Sequence, residues 1–287
     1  MPGYGQIDRD YAIKLATTAP ADDGPVWMIN LMCYKERAEY TDGRETTLSG
    51  RQADEVYTPV GPLAAVGAEI VFVADVEDQL IGDEPKWDRI AVVRYSTRAS
   101  FIAMQEREDF QTVHEHKEAG MDQTIVIGGQ PLGCPVAEQQ VAWADVPHPP
   151  SEEDGAYTML HVIRFHDEAG ATVTPDHMKS YQEVAGSVAV PNGVRIDGWF
   201  SAEGTIIGDG RSWHQVRFNT FPSRRAFMTV ALDPDRTHAH TEHRDTAIAD
   251  TYALGLRPSV NTLAASVGEI GPPLSQVLSE MRRDERY

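Results

Sequence analysis

Apolar and polar positions along this chain fall into blocks, and the blocks recur. The run VWMINLMCY, from Val26, is bounded by Gly24-Pro25 and the charged KER, and predicts a buried strand. A polar insert follows. SGRQADEVYTPVGPLAAVGA then shows helical spacing, with Gly67 as its stop signal. EIVFVADVEDQLIG and RIAVVRY read as strands, TRASFIAMQ and DFQTVHEHKEAG as helical pieces, and QTIVIGG as a last strand. The resulting order is β-α-β-β-α-β, the ferredoxin-like supersecondary unit.

The same order returns in YTMLHVIRF, DHMKSYQEVAGSVAV, VRIDGWFSAEGTIIG, HQVRFNTF, SRRAFMTVAL with THAHTEHRDTAIA, and TYALGL. The stretch from Leu80 and the stretch from Ile206 lie 126 residues apart (206 − 80). At that offset Ile81/Ile207, Gly82/Gly208, Asp83/Asp209, Trp87/Trp213, Arg98/Arg224 and Phe101/Phe227 are identical. A period that long is a duplicated domain rather than a solenoid unit. The expected organisation is a first repeat over 25–133, a Pro-rich acidic linker over 134–155, a second repeat over 156–258, and a tail over 259–287. Within the tail, GPPLSQVLSEMRRDERY predicts a docking helix. A ferredoxin-like unit has one sheet face covered by helices and one bare. The expected fold class is therefore α+β, with two βαββαβ repeats packed sheet-to-sheet as an intramolecular barrel.

Composition narrows the function classes. A chain of 287 residues, 41% hydrophobic with 18 Pro, suits two folded domains. The net charge of −19 opposes nucleic acid and anionic membrane as partners, and no apolar run is long enough to span a bilayer. The N-terminal MPGYGQIDRDYAIK has neither a basic n-region nor an apolar h-region, so no signal peptide is expected. Cys33 and Cys134 make no disulfide framework, which fits a cytoplasmic protein; both read as buried or incidental thiols.

VWMINLMCYKERAEYTDGRETTLSGRQADEVYTPVGPLAAVGAEIVFVADVEDQLIG, with WDRIAVVRYSTRASFIAM and HEHKEAG, resembles the dimeric α/β-barrel superfamily and, within it, domain-of-unknown-function family 1330. The resemblance is close over Val26 to Leu132 and looser over Tyr157 to Pro258. It implies a dimeric α/β barrel built within one chain. The superfamily includes cofactor-free monooxygenases, muconolactone-type isomerases and haem enzymes resembling chlorite dismutases, whose usual site is the cavity between the sheets. The second half departs from the pattern: Asn30 becomes His161, Asp88 becomes His214, and HEH becomes HAHTEH.

Alternation along the strands nominates site residues. In WHQVRFNTF, His214, Val216, Phe218 and Thr220 form the more apolar set and are assigned to the helices. Trp213, Gln215, Arg217, Asn219 and Phe221 are assigned to the barrel interior. Arg195, Asp197 and Trp199 share a face, and His161 interrupts an apolar strand. The expected polar wall is His161, Arg195, Asp197, Gln215, Arg217 and Asn219. The matched first-half wall, with Asn30, Trp87 and Tyr95, is more apolar, as a small-molecule pocket requires. His161 is the candidate general base, Arg217 with Asn219 the anion holder, and Asp197 the orienting partner.

Seven of the ten histidines follow residue 155. His240 and His243, three apart, and His114 and His116, two apart, are the set that a metal would use, and haem could take one of them axially. No HExxH, CxxC pair, GxGxxG in strand-to-helix context or GxSxG elbow is present. The functional expectation is a cofactor-independent enzyme acting on a small, partly apolar, anionic or carbonyl-bearing metabolite, in a monomer or homodimer. The alternatives are a non-catalytic binding or structural barrel and a haem- or metal-dependent enzyme.

Overall fold

The computed structural model describes residues 3–133, 140–167 and 173–268. These divide into two compact units. The first takes residues up to Gln130 together with Ala202–Trp213 and Ser259–Thr262; the second takes the other described residues.

The first unit begins with β1 (Gln6–Ile7) and α1 (Arg9–Thr17), then β2 (Val26–Tyr34), α2 (Gly50–Tyr57), α3 (Val60–Ala65), β3 (Glu69–Ile81), β4 (Arg89–Tyr95), α4 (Arg98–Gln105), α5 (Glu108–Gly120) and β5 (Met121–Pro131). Its strands order β5-β2-β4-β3, all antiparallel where paired in register. α1 was not expected. Its signals are Asp8, which caps the backbone N–H groups of Asp10 and Tyr11, and the i,i+4 pair Tyr11 and Leu15, both buried. The single helix expected over 49–68 is two helices. Pro59 lacks an N–H and drives Thr58 away from helical backbone, so α2 stops and α3 restarts.

The second unit contains β6 (Tyr157–Phe165), α6 (Asp176–Ala189), β7 (Arg195–Gly208), β8 (Gln215–Phe221), α7 (Arg224–Ala231), α8 (Pro234–Ala239), a π-helical turn (His240–Arg244), α9 (Asp245–Ala247) and β9 (Ile248–Asn261). Its strands order β9-β6-β8-β7. β7 contributes its residues up to Ser201 here; Ala202 onward belongs to the first unit, where Gln6–Ile7 pair with Gly208 and Ile207. α10 (Leu263–Val267) ends the described chain. The expected docking helix after it, and Cys134, lie outside the described residues.

The two units solve the same local problems at matched positions. A register shift at Cys33/Tyr34 leaves the Tyr34 N–H off the ladder, and Asp88 Oδ2 accepts it at 2.7 Å. A shift at Arg164/Phe165 does the same to Phe165, and His214 Nδ1 accepts at 3.2 Å. Asp88 and His214 are 126 residues apart (214 − 88). The sequence departure there is a change of acceptor with the role kept.

Candidate functional site

A cavity of about 310 Å³ lies in the first unit, between the sheet and its helices. Alternation in β2 and β4 supplies the floor: Met28, Asn30 and Met32 beside Ala91, Val93 and Tyr95. Helical spacing supplies the walls, with Asp54 and Tyr57 from α2 and Phe110, His114 and Lys117 from α5. Gly50 and Gly120 let α2 and α5 approach: a side chain at either would strike the other's backbone. Most of the lining is apolar, including Leu63, Ile70, Phe101, Met104 and Val126.

The polar groups gather around α2 and α5. Nε2 of His114 lies 3.2 Å from the Tyr4 hydroxyl, while its Nδ1 is buried with no hydrogen-bond partner. The ring is held edge-on by Tyr57, 5.8 Å between centroids, and flanked by Phe110 at 5.0 Å. Burial, then the charge of Lys117, pushes His114 down to about 4, so the imidazole is neutral at neutral pH. Burial also lowers Lys117, opposed by Asp54. Lys117 as a whole is only half-buried, so its enclosed part is the ammonium end, 5.4 Å from the Tyr57 ring centroid. Asp54 accepts from the Tyr34 hydroxyl at 2.7 Å and lies 3.7 Å from Arg89, which also meets Asp75 at 3.2 Å. Tyr4 and Tyr57 are both held protonated by burial.

The site residues expected from the sequence fall as follows. Asn30 and Tyr95 line the cavity; the Asn30 amide donates to the Met28 carbonyl at 3.0 Å, and the Tyr95 hydroxyl reaches Met104 Sδ at 3.1 Å. Trp87 is buried off the cavity, its backbone N–H donating to Gln79 at 3.1 Å. In the second unit His161 and Arg217 are cross-strand partners, where the first unit has Asn30 and Ala91. Arg217 is 2% exposed. It donates to Gln215 and to the Gln182 amide of α6, and lies 4.4 Å over the Trp199 ring. Trp199 donates to Asn219 at 2.9 Å.

These contacts correct the face assignment. Arg217 meets α6, so the His161, Gln215, Arg217 and Asn219 set is on the helix-covered face, not the opposite one. Polar side chains reach that side because the helices bring polar partners, here Gln182. Asp197 is also displaced. A register shift between Ile196 and Gly198 breaks strict alternation, so Trp199 stays with Arg217 while Asp197 accepts from Thr220 at 2.6 Å on the other face. Arg195 is exposed and stacks 4.2 Å over Trp143.

The histidines pair separately: His116 with Tyr40 at 2.6 Å, His240 with Asp245 at 3.1 Å, and His243 with His177 at 3.4 Å. Among the described residues no group of three or more His, Cys, Asp or Glu side chains could hold a metal. The donor set of the cavity does not fit haem either, because Nε2 of His114, the nitrogen an axial ligand would offer, faces the Tyr4 hydroxyl. Burial pushes the Cys33 thiol up to about 11, which makes it a poor nucleophile. Lys117, Asp54, Tyr57 and Tyr4 were missed. Only the i,i+3/i+4 spacing of Phe110, His114 and Lys117 signalled a shared face.

No family model and no curated protein matches this chain. The narrower resemblance to family 1330 therefore rests on its quoted residues alone. Among the described residues no helix is long and apolar enough to cross a membrane. Among solved structures, the chain is similar to an anthrone oxidase-like protein, with 12% identity over 83% of this chain and 92% of that one and a TM-score of 0.50. It is also similar to a mutant chlorite dismutase from Candidatus Nitrospira defluvii (10%, 91% and 99%, TM-score 0.47). A protein of unknown function from Rhodopseudomonas palustris matches at 25% identity over 45% of this chain and 98% of that one, with a TM-score of 0.38. The two ferredoxin-like units make this an α+β chain, and its likeness to the anthrone oxidase-like structure is one of fold.

Proposed function

We propose that the helix-side cavity of the first unit is the active site of a cofactor-independent enzyme. It moves a proton on a small, largely apolar molecule that carries a carbonyl, enol or phenol oxygen. The observation that carries this reading is His114: neutral, at the cavity wall, with one nitrogen on Tyr4 and the other buried without a partner. A cavity of about 310 Å³ is at the small end of the range for small-molecule sites and suits a ligand of one or two rings.

A neutral imidazole accepts the proton, and the negative charge left on the ligand oxygen is met by Lys117. A base near 4 is weak in the free enzyme. An oxyanion forming beside it raises its affinity for the proton as the reaction proceeds. Return of the proton to another carbon is an isomerisation. Capture of the carbanion by dioxygen instead converts an activated methylene to a carbonyl and releases one water, with dioxygen as the oxidant.

The test is solvent-deuterium exchange into enolisable aromatic ketones such as 2-tetralone, followed by NMR, with oxygen uptake measured in parallel. Exchange catalysed by the wild type should fall by about 10²-fold or more in His114→Gln. Exchange equal in both proteins would remove the assignment. Binding without exchange would leave the cavity a carrier site.

A second reading keeps proton transfer at His161 with Arg217 as the anion holder. Burial, then the charges of Arg244, Arg236 and Arg217, holds His161 neutral, which favours it. Loss of exchange in His161→Gln but not in His114→Gln would select this reading.

A further inference from the structure

The second unit contains a buried cation that the proposed active site does not use. Arg244 closes the π-helical turn and is 2% exposed, yet its Nε and Nη2 have no hydrogen-bond partner. Its Nη1 lies 3.3 Å from His240 Nε2. Asp245 is committed to that same His240 nitrogen at 3.1 Å and leaves Nε and Nη2 unanswered. A guanidinium does not escape its charge by losing a proton, so a buried one with idle donors calls for an acceptor.

Its surroundings add positive charge. Arg236 lies 5.8 Å from the centre of the buried Tyr181 ring, and His240 packs on the same ring at 6.0 Å. Below them in the sheet stand His161 and Arg217, cross-strand partners, with Gln182 of α6 reaching Arg217. The charges of Arg244, Arg236 and Arg217 all bear on His161. Arg236 and His240 thus share the Tyr181 ring beside Arg244, and Arg217 reaches the next residue of α6, Gln182. An extra residue per turn in a helix is a recurrent feature of functional sites, and the π-helical turn runs from His240 to Arg244.

We propose that this cluster, Arg244 with Arg217, Arg236 and His161, is a binding site for a small oxyanion, a carboxylate or a phosphate. The anion accepts from Nε and Nη2 of Arg244 in the planar two-pronged manner of a guanidinium.

Thermal unfolding of the full chain with inorganic phosphate or sodium benzoate, each against sodium chloride at equal ionic strength, tests this. Saturable stabilisation by either probe supports the site, and the more effective probe names its class. In Arg244→Met the apparent affinity should fall at least tenfold while circular dichroism stays native. Arg244→Lys, which keeps the charge and loses the fork, should fall less. Ala91→Leu, in the other unit's cavity, should bind as the wild type does. Stabilisation unchanged in Arg244→Met, or lost in Ala91→Leu, overturns the proposal. Should Arg244→Met not fold, the wild type and Arg244→Lys decide: no saturable effect of either probe, or equal affinity in both proteins, overturns it.

Discussion

Tyr4 and His114 are 110 residues apart in sequence, and the tyrosine hydroxyl meets Nε2 of the imidazole at 3.2 Å. The contact ties the N-terminal segment to α5 at the polar part of the cavity. It also leaves Nδ1 as the ring nitrogen free to meet a ligand.

A histidine held near 4 has a defined signature in stability. The unfolded imidazole binds a proton below about 6.5, while the folded one does not until about 4. Between those values the unfolded state carries the extra proton, so stability rises with pH across the window and is level above it. The full effect is at most about 3 kcal/mol. Denaturant titrations of wild type and His114→Gln at pH 4.5 and 7, read as a difference, should show the wild type losing more stability at the acid end. Parallel losses would mean that His114 is not neutral by burial.

Ala91 is a small residue on the floor of the first unit's cavity. It stands opposite Asn30, where the second unit's His161 stands opposite the buried Arg217. Ala91→Leu should fill the cavity and abolish binding of an apolar probe, at a stability cost of no more than about 1–3 kcal/mol. Unchanged probe binding would place the probe elsewhere.

Asp23 and Asp154 perform one task in two places. The Asp23 carboxylate accepts from the backbone N–H groups of Arg98 and Ala99 at 2.8 and 3.1 Å, and Asp154 from those of Arg224 and Arg225 at 2.8 and 3.1 Å. Burial works to raise both carboxylates, but these N–H groups hold them low, so their contribution is lost as pH falls through the folded value. Either Asp→Ala change should cost about 1–2 kcal/mol at pH 7, as a lost helix cap does, and less at pH 3. A cost independent of pH would indicate a packing effect alone.

The strands and most helices were legible because burial imposes period two and period 3.6 on long segments. Strand faces were less so. Strict alternation carries Arg195, Asp197 and Trp199 to one side, but the register shift at Asp197 divides them, and its one local signal in VRIDGWF is Gly198, a glycine inside a strand. Side was misjudged as well. An apolar set reads as the helix-facing one, yet Arg217 reaches α6 because Gln182 is there to receive it. Asn30 and Tyr95, expected on the barrel-interior wall, line the helix-side cavity instead. Lys117 and Tyr4 were not expected at a site, since a lysine in a helix and a tyrosine near a terminus look like surface until the fold closes over them.

The central claim is that the cavity beside His114 receives the ligand. The most direct measurement is imidazole ¹⁵N–¹H NMR of the full chain during titration with 2-tetralone, in wild type and in Ala91→Leu. The prediction is a saturable shift at the His114 nitrogens that disappears in Ala91→Leu. No shift at His114, or one that survives Ala91→Leu, would contradict it.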